Sequence, residues 1–259
     1  MPELPEVETL CRQMSVVMIK AEVRRLDILD AKLGRGRNLR GRCVRAITRQ
    51  GKWIIIRLDD GNEIRLHLRM TGRLLWRETG GETLPYTRLT VTFDKGRLDL
   101  IDPRRFATVS FDELPDRCAP IDNPLEDFDA EVAVKMAAQR KLPVKAFLLK
   151  QEVFAGLGNI YACEILHAAA VDPRRKTDSL SRKEWRKIAA AARDILTTAV
   201  SCRGTSVSDW RDLFGREGEY QNHLAVYGRT GKDCPRCCGT VVRENLGGRG
   251  TFFCPACQQ

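Results

Sequence analysis

The chain has 259 residues, 43% hydrophobic and 30% charged, which is enough for about two domains with real cores and excludes a disordered tail. No run approaches the ~18 uninterrupted apolar residues of a membrane-crossing helix. The acidic, proline-punctuated start Met1-Pro2-Glu3-Leu4-Pro5-Glu6 is unlike a secretory signal, so a cytoplasmic protein without a membrane partner is expected. With 44 Lys and Arg against 34 Asp and Glu, the net charge of +10 suits a polyanion, and nucleic acid is the usual one.

The opening Pro2-Glu3-Leu4-Pro5-Glu6-Val7-Glu8 has a structural and a chemical reading. Proline near a helix start, with acids in the first turn, is ordinary helix chemistry. Leu10, Met14 and Val17 then carry apolar helical spacing from Leu4 to about Ile19. The chemical reading starts from removal of Met1, which exposes the secondary amine of Pro2. An α-amino group titrates near pH ~7.7–8, so a useful fraction is unprotonated at neutrality. Such an amine attacks an electrophilic carbon and forms an iminium. Glu3 is beside it to shuttle protons, and Glu6 lies one turn on to hold a second site.

From Ala31 to Lys52 the chain is acid-free, with Lys32, Arg35, Arg37, Arg40, Arg42, Arg45, Arg49 and Lys52 in one window. Strand-like runs follow. Trp53–Leu58 and Glu63–Arg69 flank the turn Asp59–Asn62; Thr87–Phe93 and Arg97–Ile101 flank Asp94-Lys95-Gly96; Phe106–Phe111 makes a further strand. A β-sandwich or barrel flanked by the first helix is the natural architecture. Glu113–Pro124, with three prolines, is a linker. Beyond it the pattern is helical: Ala146–Phe154 and Ile160–Ala169 around the turn Gly156-Leu157-Gly158-Asn159, then a long helix opened by the capping box Ser181-Arg-Lys-Glu184 and running towards Cys202.

The tail carries Cys234-Pro-Arg-Cys237 and Cys254-Pro-Ala-Cys257, two C-x2-C knuckles around a glycine-rich hairpin. A lone knuckle is as readily a redox pair, but two at this spacing predict one structural zinc held by four thiolates. Cys238 competes with Cys237 for the second position; Cys237 keeps the two-residue knuckle. Cys11, Cys43, Cys118, Cys163 and Cys202 stand singly and read as small hydrophobes. Arg249, in the turn between the knuckles, is either solvated surface or a phosphate contact.

Together these motifs resemble the formamidopyrimidine-DNA glycosylase family. The likeness rests on Pro2–Glu8, Gly51-Lys52, His67-Leu-Arg-Met70-Thr-Gly72, Asp102-Pro-Arg-Arg-Phe106, Gly156–Tyr161, Tyr220-Gln221, Val226–Arg229 and the ribbon, in family order over nearly the whole chain. The sister endonuclease VIII branch typically opens Pro-Glu-Gly-Pro-Glu, so Leu4 favours the formamidopyrimidine branch. The resemblance implies an α+β fold with four consecutive segments. These are an N-terminal catalytic β-sandwich domain flanked by helices (1–112), a linker (113–124), a helix–two-turn–helix DNA-binding domain (125–228) and a four-cysteine zinc-ribbon β-hairpin (229–259).

It also implies a bifunctional glycosylase and abasic-site lyase of base excision repair, acting as a monomer on damaged double-stranded DNA near the nucleoid. Pro2 attacks the sugar C1′, Glu3 moves protons, Glu6 organises the site, Lys52 serves β-elimination and Arg249 serves δ-elimination. Chemistry on a base inside a duplex requires extruding the nucleotide. Met70, Arg104 and Phe106 match the trio that fills the gap, with Phe106 as wedge. Asn159 is read as a helix cap binding phosphate; Lys145, Arg105, His67 and Arg88 are further phosphate contacts. Departures from the family pattern are Pro85-Tyr-Thr-Arg88 in place of a Lys-His-x-His stretch, Glu152 where some members have lysine, and Arg69 for glycine. In the lesion-covering loop Gly215–Gln221, Glu217 and Glu219 add acidic groups that favour lesions presenting hydrogen-bond donors, so ring-opened purines are expected to be excised at least as well as 8-oxoguanine. Two alternatives remain: endonuclease VIII-like action on oxidised pyrimidines, and a non-catalytic lesion-binding protein.

Overall fold

The computed structural model describes residues 2–111, 119–121, 123–138 and 140–259. Met1, Cys118 and most of the expected linker lie outside the described residues. The chain forms two compact units that are not consecutive in sequence: Met1–Asp116 with Cys202–Gln221, and Arg117–Ser201 with Asn222–Gln259.

The first unit opens with α1 (Leu4–Met18), whose buried face is Leu4, Val7, Leu10, Cys11, Met14 and Met18. Eight strands follow: β1 (Val23–Ile28), β2 (Val44–Gln50), β3 (Trp53–Leu58), β4 (Glu63–His67), β5 (Arg73–Arg77), β6 (Thr87–Phe93), β7 (Gly96–Ile101) and β8 (Thr108–Ser110). They build two four-stranded antiparallel sheets, in the orders β1-β6-β7-β5 and β2-β3-β4-β8. Ile54, Ile56 and Leu66 of one sheet share a core with Val91, Leu98 and Leu100 of the other and with Leu10 and Met14 of α1. Both expected hairpins form where the apolar runs lie. The strands that escaped the pattern, β1, β2 and β5, are all sheet edges. Edge strands carry charge on the face and flank that meet water, which hides their period.

Cys202–Gln221 falls outside the consecutive domain order expected from sequence. Trp210 and Leu213 bury themselves in the sandwich core. The amide of Trp76 on β5 donates to the Leu213 carbonyl at 2.9 Å, so the returning segment covers that edge strand.

The second unit contains α2 (Ala130–Ala138), α3 (Val144–Leu148), α4 (Asn159–Ala168) and α5 (Arg182–Ser201). The Ser181 box caps α5: Ser181 N donates to Glu184 Oε2 at 2.7 Å and Glu184 N to Ser181 Oγ at 3.3 Å. The helix expected over 146–154 spans only Val144–Leu148, closed by the i→i−3 bond of Lys150 N to the Phe147 carbonyl at 3.0 Å. Strands β9 (Val242–Leu246) and β10 (Arg249–Phe253) pair through Gly247-Gly248, both at positive φ (60° and 76°), as a tight two-residue hairpin turn requires. Among the described residues no helix is long and apolar enough to cross a membrane.

Candidate functional site

The N-terminal motif is built around one carboxylate. Pro2 is buried, and Glu3 is the N-cap of α1 in a reciprocal capping box with Glu6. Glu6 accepts the Glu3 amide on Oε2 and the Thr205 amide on Oε1, each at 2.8 Å. Gly204, just before that second donor, sits at φ +82°, and a Cβ there would lie 2.7 Å from Glu6 Oε1. Only glycine allows the backbone to approach the carboxylate this closely. Glu8, further along α1, takes Arg12 at 2.8 Å and Arg49 at 3.0 Å. Burial pushes its pKa upward, but the two guanidiniums outweigh burial and hold it below the ordinary carboxylate value.

Lys52 follows Gly51 in the β2–β3 turn and is almost fully buried. Across the β3–β4 ladder Trp53 pairs with His67, their rings 5.0 Å apart and edge-on. His67 Nδ1 accepts the Arg69 amide at 3.1 Å, which leaves the ring proton on Nε2. Burial first, then the charges of Arg69 and Lys52, pull its pKa down to about 4. His67 therefore offers a neutral N–H donor at pH 7, not the cation a phosphate contact would favour.

Arg104 and Phe106, expected to act at the extruded base, stand on a loop organised by Asp102. Its buried carboxylate accepts Thr71 Oγ1 (2.6 Å) and the amides of Arg104 (3.2 Å), Phe106 (2.6 Å) and Ala107 (2.7 Å). Thr71 follows Met70, so one carboxylate ties together the two loops that carry the trio. Met70 is 50% exposed and Phe106 is 43% exposed, costly for large apolar side chains unless something covers them. The Arg104 guanidinium lies 4.6 Å over the Phe106 ring.

The two other arginines of this region are committed inward. Arg88 is only 2% exposed; Nε bonds Asp30 at 2.6 Å and Nη1 the Ala107 carbonyl at 2.8 Å. It is a buried strut rather than the surface phosphate contact expected of it. Arg105 is exposed but grips Asp30 through Nε and Nη2, at 2.9 and 2.5 Å. That fork, more than any other contact, holds the Asp30 carboxyl well below its usual range.

In the second unit Lys145 is 0% exposed, its ammonium on the Gly250 carbonyl (3.2 Å) and Thr251 Oγ1 (2.8 Å). It fastens β10 from within and has no free face for a phosphate. Asn159 is the first residue of α4, with Gly158 as its N-cap, and Asn159 Nδ2 also donates to the Gly250 carbonyl at 2.9 Å. It thus holds the hairpin instead of capping the helix. Arg249 is exposed beside the Gly247-Gly248 turn.

The sulfurs of Cys234, Cys237, Cys254 and Cys257 lie within 4.8 Å of one another, with Cys234–Cys257 at 3.8 Å and Cys237–Cys254 at 3.5 Å. A tetrahedron with ~2.3 Å Zn–S bonds has edges of roughly 3.8 Å, so the four thiolates fit one zinc with no open position. Cys238 stays exposed at φ +57°, outside the cluster. His167 Nε2 meets Cys234 Sγ at 3.2 Å, and Glu164 accepts the amides of Ala225, Val226 and Tyr227 at 2.8, 3.0 and 2.7 Å. Nothing in the spacing of the cysteines pointed to His167 or Glu164. Helix position alone, on the face of α4 that meets the ribbon, decides their roles.

Sequence reasoning also missed Gly204, Thr205 and Asp212. Asp212, buried, accepts Phe214 N, Arg216 N and Gln13 Nε2 at 3.0, 2.9 and 2.9 Å and so sets the base of the Gly215–Gln221 loop. Within that loop Glu217 pairs with Arg211 at 2.7 Å and Glu219 with Arg203 at 2.5 Å. These acids neutralise arginines of their own segment, which removes the basis for reading them as groups that select donor-bearing lesions.

Three family profiles cover the chain in order: the formamidopyrimidine-DNA glycosylase N-terminal domain at residues 1–109, its H2TH domain at 120–210, and a zinc finger found in FPG and IleRS at 231–259. The formamidopyrimidine-DNA glycosylase of Exiguobacterium sp. is 37% identical, with all of both chains covered. That of Carboxydothermus hydrogenoformans is 38% identical, again over the full length of both. Among solved structures, a Lactococcus lactis FPG mutant in complex with a Fapy-dG containing DNA superposes with a TM-score of 0.91 at 30% identity over 100% of both chains. The MutM (FPG) protein from Thermus thermophilus gives 0.88 at 36% identity, over 99% of this chain and 98% of that one.

Proposed function

The chain belongs to the formamidopyrimidine-DNA glycosylase family, and from that premise we propose that it is a bifunctional DNA glycosylase and abasic-site lyase of base excision repair, removing ring-opened and oxidised purines from duplex DNA. The observation that carries the reading is the Glu6 clamp, which immobilises the Pro2-Glu3 start in a buried setting.

In this mechanism the amine of Pro2, free once Met1 is removed, bonds to C1′ as the glycosidic bond breaks and the base leaves with the electron pair. The amine proton is lost, and the nitrogen lone pair then forms the iminium as the C1′–O4′ bond breaks, O4′ taking a proton from Glu3 as the sugar ring opens. Glu3 carries protons between the sugar and the departing groups. Loss of a C2′ proton then expels the 3′ phosphate, with Lys52 as proton donor; Arg249 assists loss of the 5′ phosphate, and water releases the sugar remnant from Pro2. Met70, Arg104 and Phe106 occupy the gap left by the extruded nucleotide, with Arg104 facing the orphaned base. Cys234, Cys237, Cys254 and Cys257 would hold one zinc, which would brace the hairpin that carries Arg249 without taking part in the reaction.

Borohydride reduction of the protein mixed with abasic-site duplex tests this reading. A covalent adduct is expected, reduced but present in Pro2→Gly, whose glycine still offers an amine. Glu3→Gln is expected to lose base excision much more deeply, by about 10²-fold or more. No adduct from the parent protein, or a Glu3→Gln variant as active as the parent, defeats the assignment. A non-catalytic lesion binder would retain duplex affinity without any adduct.

A further inference from the structure

We infer that His167 is a positioning residue of the metal site: its Nε2–H donates to the Cys234 thiolate, and this bond orients that ligand and slows loss of the metal. The inference rests on the four-thiolate site and not on the glycosylase reading, so either can fail without the other. His167 stands in the last turn of α4, one helical turn after Cys163. Cys163 in turn belongs to a buried cluster with Val226, Cys234, Val241 and Cys254.

A helix face set against such a cluster calls for an apolar side chain. A buried imidazole there is costly unless a partner satisfies it. His167 is buried, and the partner of Nε2 is Cys234 Sγ at 3.2 Å. A metal-bound thiolate carries no proton and can only accept, so the proton of this bond belongs to Nε2. The four sulfurs already lie within 4.8 Å of one another and complete a tetrahedron, which leaves the imidazole outside the ligand set as a donor to it.

Charge gives the bond its purpose. Four thiolates on one divalent ion leave an excess of negative charge, and the ligands share water unevenly. Cys237 is exposed and Cys257 half-buried, whereas Cys234 is 1% exposed. A thiolate closed off from water needs protein donors to offset its charge. The knuckle supplies amides at Arg236 and Cys237, and His167 adds a donor from outside the ribbon. The same knuckle is tied to α4 a second time, because Arg236 Nη2 bonds the Ala168 carbonyl at 2.9 Å. Of the α4 side chains that hold the tail, Asn159 and Glu164 meet backbone groups, and His167 meets a metal ligand. A hydrogen-bonded thiolate is a weaker base, so it yields less readily to protons and competing electrophiles while its metal is bound.

Full-length protein loaded with zinc or with cobalt(II) tests the role through two substitutions. His167→Phe keeps a ring and removes the N–H; His167→Gln restores an N–H donor. Zinc transfer to a chromophoric chelator should be about tenfold faster in His167→Phe and within about threefold of the parent in His167→Gln. The sulfur-to-cobalt charge-transfer band should move to longer wavelength in His167→Phe alone, because a thiolate without its hydrogen bond gives up an electron more easily. Equal rates and equal bands in all three proteins overturn the inference. So does faster release from His167→Phe with an unmoved band, or a His167→Gln as impaired as His167→Phe in both readouts; the ring would then serve packing alone. The parent gives a further readout that no folding defect can blur. Long-range proton–nitrogen correlation spectra of its zinc form should show a proton on His167 Nε2, and this spectrum decides the matter if His167→Phe takes up no metal. A bare Nε2 overturns the inference whatever the variants do.

Discussion

The Glu6 clamp and the zinc ribbon face the same physical problem with different chemistry. Each must hold backbone rigid where no helix or sheet ladder satisfies it. At the N-terminus a buried carboxylate does this, collecting the amides of Glu3 and Thr205 from segments some two hundred residues apart. In the ribbon four thiolates converge on one metal, and Glu164 on α4 collects three further amides next to it. A carboxylate is compact and leaves an amine free to react; a metal needs four ligands but holds a segment too short to build a core. The difference lies in dependence. The clamp draws on the sandwich core around it, whereas the ribbon draws on its ion.

Metal removal should therefore break the second region most. Cys254 is buried in the cluster, and the tail beyond it is bonded to the segment after α4: Gln258 Nε2 to the Val171 carbonyl at 2.8 Å, and Asp172 N to the Gln259 carbonyl at 3.0 Å. Cys254→Ser should release zinc to a chromophoric chelator, on a scale of about 10 kcal/mol of binding energy, and lower the calorimetric transition of the second unit. The first unit should keep its transition. Cys238→Ser is the control and should retain full zinc content; retention by Cys237→Ser and loss by Cys238→Ser would reverse the ligand assignment.

The clamp should yield to a single methyl. Gly204→Ala combines a positive φ with a Cβ 2.7 Å from Glu6 Oε1, so a loss of about 2–4 kcal/mol in urea unfolding is expected, with a slower rate of borohydride-trapped adduct. A variant as stable and as fast as the parent would show that the clamp gives way freely and does not position Pro2.

The smallest effect sharpens the comparison through pH. The His67 pKa is lowered to about 4 by folding, so its contribution is fully present above the unfolded value near ~6.5 and is lost as pH falls towards 4. Asp102 is also lowered: burial opposes its charge, but the bonds from Ala107, Thr71, Phe106 and Arg104 prevail. Its contribution is present above the ordinary value near ~3.9 and is lost only below it. Urea midpoints measured from pH 8 to pH 3 should fall in these two stages. His67→Asn should shrink the first stage by on the order of 1–2 kcal/mol for a partly exposed ring, leaving the share of His167, whose burial lowers its pKa to about 4 as well. A profile unchanged by that substitution would show that His67 titrates normally.

The legible parts of the molecule were those where residue type and spacing act locally. Helix α1, the β3–β4 and β6–β7 hairpins, the Ser181 cap and the four zinc ligands stand where their patterns put them. Each is fixed by neighbours a few residues away, by a pair of short knuckles, or by an apolar run that only a central strand can bury. The edge strands β1, β2 and β5 were illegible because water on one side tolerates their charges, whereas β8, also an edge, lay within the expected run Phe106–Phe111.

Tertiary structure decided the rest. Arg88, Arg105 and Lys145 have the composition of phosphate contacts, yet Asp30 and the Gly250 carbonyl, distant in sequence, claim them. Gly204 and Thr205 carry no sequence signal for their place against Glu6, because a hydrogen bond across some two hundred residues leaves no local period. By itself the sequence determined the family, the metal and the N-terminal motif. Which cations remain free for DNA was decided only when the chain folded, because a charge is committed by whatever opposite charge or carbonyl packing brings within ~3 Å of it.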